Sequence, residues 1–287
     1  MLHYLFRTTS GWRAALLVLV AALLPGCDSV NQAFKSATPP ASAGNIAPAL
    51  EAELDARAAA YKQIGQQNLD QLAAAIGRMV AAIQANDLDT ARAAWLQART
   101  YYERSEVFTF KFPYLVSSID PWPDATSGFH AVEEGIFGAG GPPPLAAAQE
   151  LADKVDTLRT VYASQPLYAH GLLIGMGGLA YQIGDSKALQ DQSATSGASL
   201  SDLRNNVQGI ETVWNTVFAP TMKPRNNGIS DRFDQNIAEI KKLRAVSSIK
   251  ALDTAALANA TKQLDDTLSD MAVDLGWRQP NFTDTDD

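Results

Sequence analysis

The sequence predicts an all-α protein built from two packed antiparallel four-helix bundles. Three observations point there. From about Ile46 onward, apolar residues recur at spacings of three and four, as a helix with one buried face requires. Ala and Leu are abundant, and no stretch alternates apolar and polar residues as a strand would. Helix-length segments are separated by short clusters of Pro, Gly, Asn and Asp, the connections of antiparallel neighbours.

In order, a first helix is expected from about Ile46 to Ala85. Asn86-Asp87 breaks it, and Asp87 or Asp89 can cap a second from about Leu88 to Phe110. Residues 111–127, punctuated by Pro113, Pro121 and Pro123, read as a loop. A short helix follows at about Phe129 to Phe137, stopped by Gly138 to Pro144. Helices near 145–163 and 167–189 come next, then a Ser/Gly-rich loop at 192–199 and a helix at about 201–218. Pro220 and Pro224 interrupt, and the last helices lie near 230–246 and 253–275. The helical domain thus spans 47–275, with the boundary between bundles at about 140–165. The acidic tail is expected over 276–287, frayed from Asn281. Gly128 to Phe137 echoes Gly209 to Phe218, with Gly, Val and Phe identical, which hints at a duplication.

The N-terminus carries an address. Arg7 and Arg13 precede an apolar run, Ala14 to Leu24, which is too short to span a bilayer as a helix and has the length of a signal-peptide core. Leu24-Pro25-Gly26-Cys27 follows and resembles the bacterial lipobox, with Pro25 the departure from it. Cleavage of residues 1–26 would leave Cys27 as a lipidated first residue, and residues 27–46, rich in Ser, Pro and Gly, as a flexible tether. The chain is then expected in the periplasm, anchored to a cell membrane. Cys27 is the sole cysteine, so a disulfide within the mature chain and a thiolate zinc site are both excluded. The remaining 261 residues carry a net charge of −10, which argues against nucleic acid and against electrostatic attraction to an anionic membrane.

Two histidines remain after cleavage. His130 shares a helix face with Glu133, three residues on, and an imidazole beside a carboxylate is half of a metal site. On the preceding helix the apolar stripe Leu88, Ala91, Trp95, Ala98, Tyr102 continues to Glu106, with Glu103 beside it. A carboxylate on an inward stripe is costly unless it is paired. Arg99 can pair with Glu103 at a four-residue spacing, which is the structural explanation. The functional one is that Glu103 or Glu106 faces His130 and Glu133, with Asp120 adding an oxygen. One imidazole with several carboxylates suits iron, manganese or zinc more than copper. His170, among apolar and small neighbours, reads as an interhelix histidine, and the glycines after it as sites of close helix packing. Trp122 reads as anchoring its loop, with a pocket wall as the alternative.

Ala98-Arg99, Tyr102-Glu103-Arg104, Glu106, Ser118-Ile119-Asp120, Gly128-Phe129-His130 with Glu133, and Phe137-Gly138 resemble the imelysin-like domain of the EfeO/EfeM proteins. Asp202-Leu203, Asn206-Val207, Gly209 and Glu211 are similar to that family's second motif. The resemblance covers roughly residues 50–275. It implies an all-helical protein of two four-helix bundles, periplasmic or lipid-anchored, engaged in iron uptake or grouped with imelysin peptidases. Ser196 to Leu200 stand where the iron-uptake proteins carry a Tyr-Ser-His-Thr stretch, and no cupredoxin-like segment precedes the helices. The shorter EfeM-like lipoprotein form is therefore the better match. The expected cargo is a metal ion, iron favoured and zinc possible, held by His130, Glu133, Glu103, Glu106 and Asp120, with a membrane iron permease as a possible partner. A metallopeptidase and an interaction module with a vestigial site are the alternatives. No His-Glu-x-x-His or His-x-x-Glu-His helix motif and no Gly-x-Ser-x-Gly turn is present.

Overall fold

A computed structural model describes residues 44–122, 126–139 and 143–282. The signal peptide, Cys27 and all of the tether before Gly44 lie outside the described residues. Within them the chain is helical, with no strand.

Helix α1 (Pro48–Gln84) buries Leu54, Ala58, Tyr61, Leu69, Leu72, Ile76, Met79 and Ile83, a single stripe at helical spacing. Asp87 caps α2 (Leu88–Thr109) by accepting from the Thr90 amide at 3.1 Å. Two short helices follow, α3 (Pro113–Ile119) and α4 (Gly128–Phe137), then α5 (Leu145–Ser164). The helix α3 lies where the sequence suggests a loop. Pro113 opens it, in the first turn, where a missing N–H costs no helix bond.

The second half begins with α6 (Ala169–Gln182), which widens into a π-turn at Ile183–Lys187 and ends at Gln190. Helix α7 (Ser199–Val213) runs into a second π-turn, Trp214–Phe218, and on into α8 (Ala219–Arg225). Pro220, at the start of α8, and Pro224 thus sit within helix rather than ending one. Helices α9 (Asn227–Leu243) and α10 (Thr254–Leu275) complete the fold. No helix among the described residues is long and apolar enough to cross a membrane.

The packing sorts into two groups. Helix α1 lies along α2 and α5, with α4 bridging α2 and α5; α9 lies along α10, which packs on α6. Helix α2 joins the groups, because α6 and α7 both pack on it as well. Two glycines permit this approach. A Cβ on Gly209 would meet the Arg104 carbonyl oxygen at 2.7 Å, and one on Gly175 would collide with the Val107 carbonyl. The glycines after His170 thus include one that serves close helix packing, as expected. The echo between 128–137 and 209–218 is not conformational at its first position. Gly128 has φ +63° and opens a helix, whereas Gly209 is inside one.

The described segment is packed at both of its ends. Trp277 and Phe282 are buried, with Phe282 over Gly177, so the acidic tail does not begin at 276. Both are large apolar groups, and burying them outweighs the ordering of the few residues between them. Gly44 and Ile46 lie against Gly276, which closes α10 with φ +92°.

Candidate functional site

From Arg99 onward α2 is covered on several sides and has no exposed residue. Along α2, Arg99, Glu103 and Glu106 are accordingly buried, with Glu103 0 % exposed. They survive there because each finds a partner of opposite charge.

The Arg99 guanidinium sits at the centre. Its Nη1 donates to Asp120 Oδ1 at 2.7 Å, and its Nη2 donates to Glu103 and, at 3.1 Å, to Asp202 Oδ2. The rings of Trp95, Tyr102 and Phe129 surround it, the last with its centroid 5.1 Å from the guanidinium carbon. The pairing of Arg99 with Glu103 is thus present, but as one arm of a wider network.

One turn further on, the Lys187 ammonium donates to Glu103 Oε2 at 2.8 Å and to Glu106 Oε2 at 2.5 Å. Asn206 Nδ2 donates to the same two oxygens at 2.7 and 2.6 Å. Burial alone would raise the Glu103 carboxyl, but Arg99 and Lys187 outweigh it and hold it low, at about 2. Burial and the neighbouring Glu103 push Glu106 well up, against the pull of Lys187. The two carboxyls are thus pushed in opposite directions.

The other edge of the network is built by α3 and α4. Lys154 Nζ donates to the Ser118 carbonyl at 3.1 Å, fixing the end of α3 where Asp120 caps it. Gly128 takes its positive φ directly against the Ile119 carbonyl, and a Cβ there would collide with it. Trp95 Nε1 donates to the Phe129 carbonyl at 3.1 Å, docking α4 on α2. These contacts aim His130 at Asp120.

The imidazole is flanked on both sides. Nδ1 lies 3.1 Å from Glu133 Oε2, and Nε2 lies 3.2 Å from Asp120 Oδ1 at an angle too poor for a hydrogen bond. Burial opposes charge on the ring, but the two carboxyls outweigh it and raise His130 to about 9. Glu133 is oriented in turn, its Oε1 accepting from the Ser196 amide at 2.8 Å. Since Asp120 and Glu133 flank opposite ring nitrogens, an ion on one nitrogen cannot take both carboxylates.

The expected set, His130, Glu133, Glu103, Glu106 and Asp120, is thus brought into one buried network but divides into two groups. Glu103 and Glu106 face Lys187 and Asn206; Asp120, His130 and Glu133 form the other edge, and Asp120 and Arg99 join them. Among the described residues, no three His, Cys, Asp or Glu side chains converge as a preformed cage. Five carboxyl groups, counting Asp202, share three basic groups, Arg99, Lys187 and His130. Even with Glu106 protonated, the acidic groups outnumber the basic ones. Burial, with Glu103 adding to it, pushes Asp202 up to about 6 against the pull of Arg99. His130 Nε2, Asp202 Oδ1, Asn206 Oδ1 and Tyr102 OH are buried and make no hydrogen bond within the described chain.

Lys187, Asp202, Asn206 and Ser196 complete the network, and the reading of charge and spacing overlooks them. Asp202 and Asn206 stand four apart in the second motif, which was a usable signal. Lys187 carried none, since a lone lysine on a helix reads as solvent-facing. Trp122 lines a cleft of about 600 Å³ that reaches Glu106, Asp120 and Lys187 and is also bordered by Gln182 and Gln190. Its indole packs edge-on against His130 with centroids 5.3 Å apart, and its Nε1 donates to Gln190. Trp122 is therefore a pocket wall as well as a loop anchor. His170 packs on Trp277, away from this network, as an interhelix histidine should.

The imelysin family model matches residues 57–274. The chain belongs to the imelysin family. It is also similar to proteins described as Efem/EfeO family lipoproteins from Staphylococcus aureus strains MRSA252 and USA300. Each is 25 % identical over 257 residues, covering 78 % of this chain and 86 % of the relative. The matched segment contains every residue of the buried network.

Proposed function

We propose that this protein is an extracytoplasmic, lipid-anchored metal-binding protein that contributes to metal uptake, with iron the favoured cargo and zinc possible. The observation that carries the reading is the His130–Asp120 pair within a buried network whose acidic groups exceed its basic ones. The 3.2 Å between Nε2 and Oδ1 suits two neighbouring ligands of one first-row ion, each at about 2.1 Å. Glu133, bonded to Nδ1, is the outer carboxylate that fixes the ring and raises its basicity. The unpartnered oxygens of Asp202 and Asn206 lie in the same network and add hard donors suited to iron.

In this reading Arg99 and Lys187 neutralise most of the buried charge and leave a deficit that one cation fills. The cleft beside Trp122 provides the way in. Cys27, with the lipobox-like residues before it, supplies the anchor, in keeping with the lipoprotein description of the staphylococcal relatives. A periplasmic site held near a membrane suits delivery to an iron permease.

Titration of Fe(II), Fe(III) and Zn(II) onto the purified protein and its His130→Ala variant tests this. Loss of at least tenfold in affinity in the variant supports the reading, and equal affinity removes it. Cleavage of unfolded protein that stops on chelation would instead make the site a peptidase.

A further inference from the structure

The chain is strongly acidic, yet the far side of α7 from the buried network carries a concentrated basic cleft. Asp202 and Arg204 are two residues apart on α7 and so point to different faces. Asp202 turns to Arg99. Arg204 turns to the end of α9 and lines a cleft of about 500 Å³ with Gln208, Glu211, Lys241 and Arg244.

Arg244 is the unusual member. It is only 4 % exposed and has no carboxylate partner among the described residues. Its Nε donates to the Ile240 carbonyl at 3.3 Å and its Nη1 to the Leu203 carbonyl at 3.2 Å. Arg204 Nη2 donates to the carbonyls of Arg244 and Val246, both at 3.2 Å. Ile240, Arg244 and Val246 lie at or just past the end of α9, so capping accounts for three of these bonds, and Leu203 on α7 takes the fourth. This leaves Arg244 Nη2 and Arg204 Nε and Nη1 without a hydrogen bond in the described chain and facing the cleft, and it brings no carboxylate into contact with the Arg244 guanidinium. Glu211, the one acid in the cleft, is paired to Lys241 at 2.7 Å. Burial and the neighbouring Arg204 together depress Arg244 to about 10, outweighing the attraction of Glu211. A buried charge without a counter-charge is costly, and a bound anion relieves it.

We infer that the Arg204–Arg244–Lys241 cleft binds an oxyanion of the phosphate class. Guanidinium groups present paired N–H donors that match phosphate oxygens, and the spare donors belong to two adjacent arginines. A second recess, bordered by Asp191, Ser201, Ser247, Ser248 and Lys250, shares Arg204. The phosphate could be free or part of a lipid headgroup.

The test uses inorganic phosphate on the full protein, in excess chelator so that no metal mediates binding, against chloride at matched ionic strength. Calorimetry is expected to show binding that weakens at least tenfold in Arg204→Gln, whose exposed side chain leaves folding intact. Arg244→Gln, checked for folding by circular dichroism, loses it too. Vesicles of phosphatidylglycerol and of phosphatidylcholine form the second arm. Binding only to the anionic vesicles, lost in Arg204→Gln, keeps the phosphate chemistry and moves its source to a headgroup. No binding in either arm, or equal binding by Arg204→Gln, overturns the site. Because chelator is present, this outcome is independent of the metal-binding reading.

Discussion

The two edges of the buried network differ in how their charges are met. Around Arg99 and Lys187, permanent cations contact Glu103 and Glu106 directly, and Asn206 holds the same oxygens. At the other edge, Asp120 and Glu133 enclose a histidine, whose positive charge is a bound proton. The first edge holds the helices together at any moderate pH. The second can exchange its cation. Each also depends on a different kind of contact: the first on side chains that α6 and α7 bring to α2, the second on the short helices α3 and α4.

Breaking the first edge has the largest expected effect on folding. Arg99→Ala strips Asp120, Glu103 and Asp202 of a shared partner and should cost about 4 kcal/mol in urea unfolding, since it leaves buried charge uncompensated. A cost near zero would mean that the network is looser than its distances indicate.

The second edge should show itself through pH. His130 is raised from 6.5 to about 9, so the stability it contributes is complete below pH 6.5 and is lost as pH rises through 9. In metal-free protein that loss should approach about 3 kcal/mol, the free energy of such a shift. His130→Gln should flatten this part of the stability profile. A profile unchanged by the substitution would remove the proton from the account.

Lys187→Met separates the two edges further. The predicted cost is about 2 kcal/mol, less than for Arg99, because Asn206 still donates to both carboxyls. Glu133→Gln is the mildest change. It preserves shape and the bond from the Ser196 amide but weakens the hold on Nδ1, so metal affinity should fall about tenfold with little loss of stability.

Much of this was legible in the sequence, and the reasons are local. Asp87 caps a helix where a cap is expected, and the stripe through Trp95, Tyr102 and Glu106 is buried as its spacing implies. His130 with Glu133 follows directly from a three-residue helical spacing. Other features needed the whole fold. Pro113 and Pro220 read as breaks but stand in the first turns of helices, where proline is tolerated. Phe282 looked like part of a tail until Gly177 supplied a place for its ring. Lys187 reaches Glu103 across 84 residues of sequence, from a π-turn that no local pattern announces.

The central claim is that His130 and Asp120 together hold a metal ion. The most direct test is calorimetric titration of Fe(II), under anaerobic conditions, onto wild type, His130→Ala and Asp120→Asn. The account predicts one site in the wild type and at least a tenfold loss in each variant while the circular dichroism spectrum is retained. Wild-type affinity in both folded variants would contradict it.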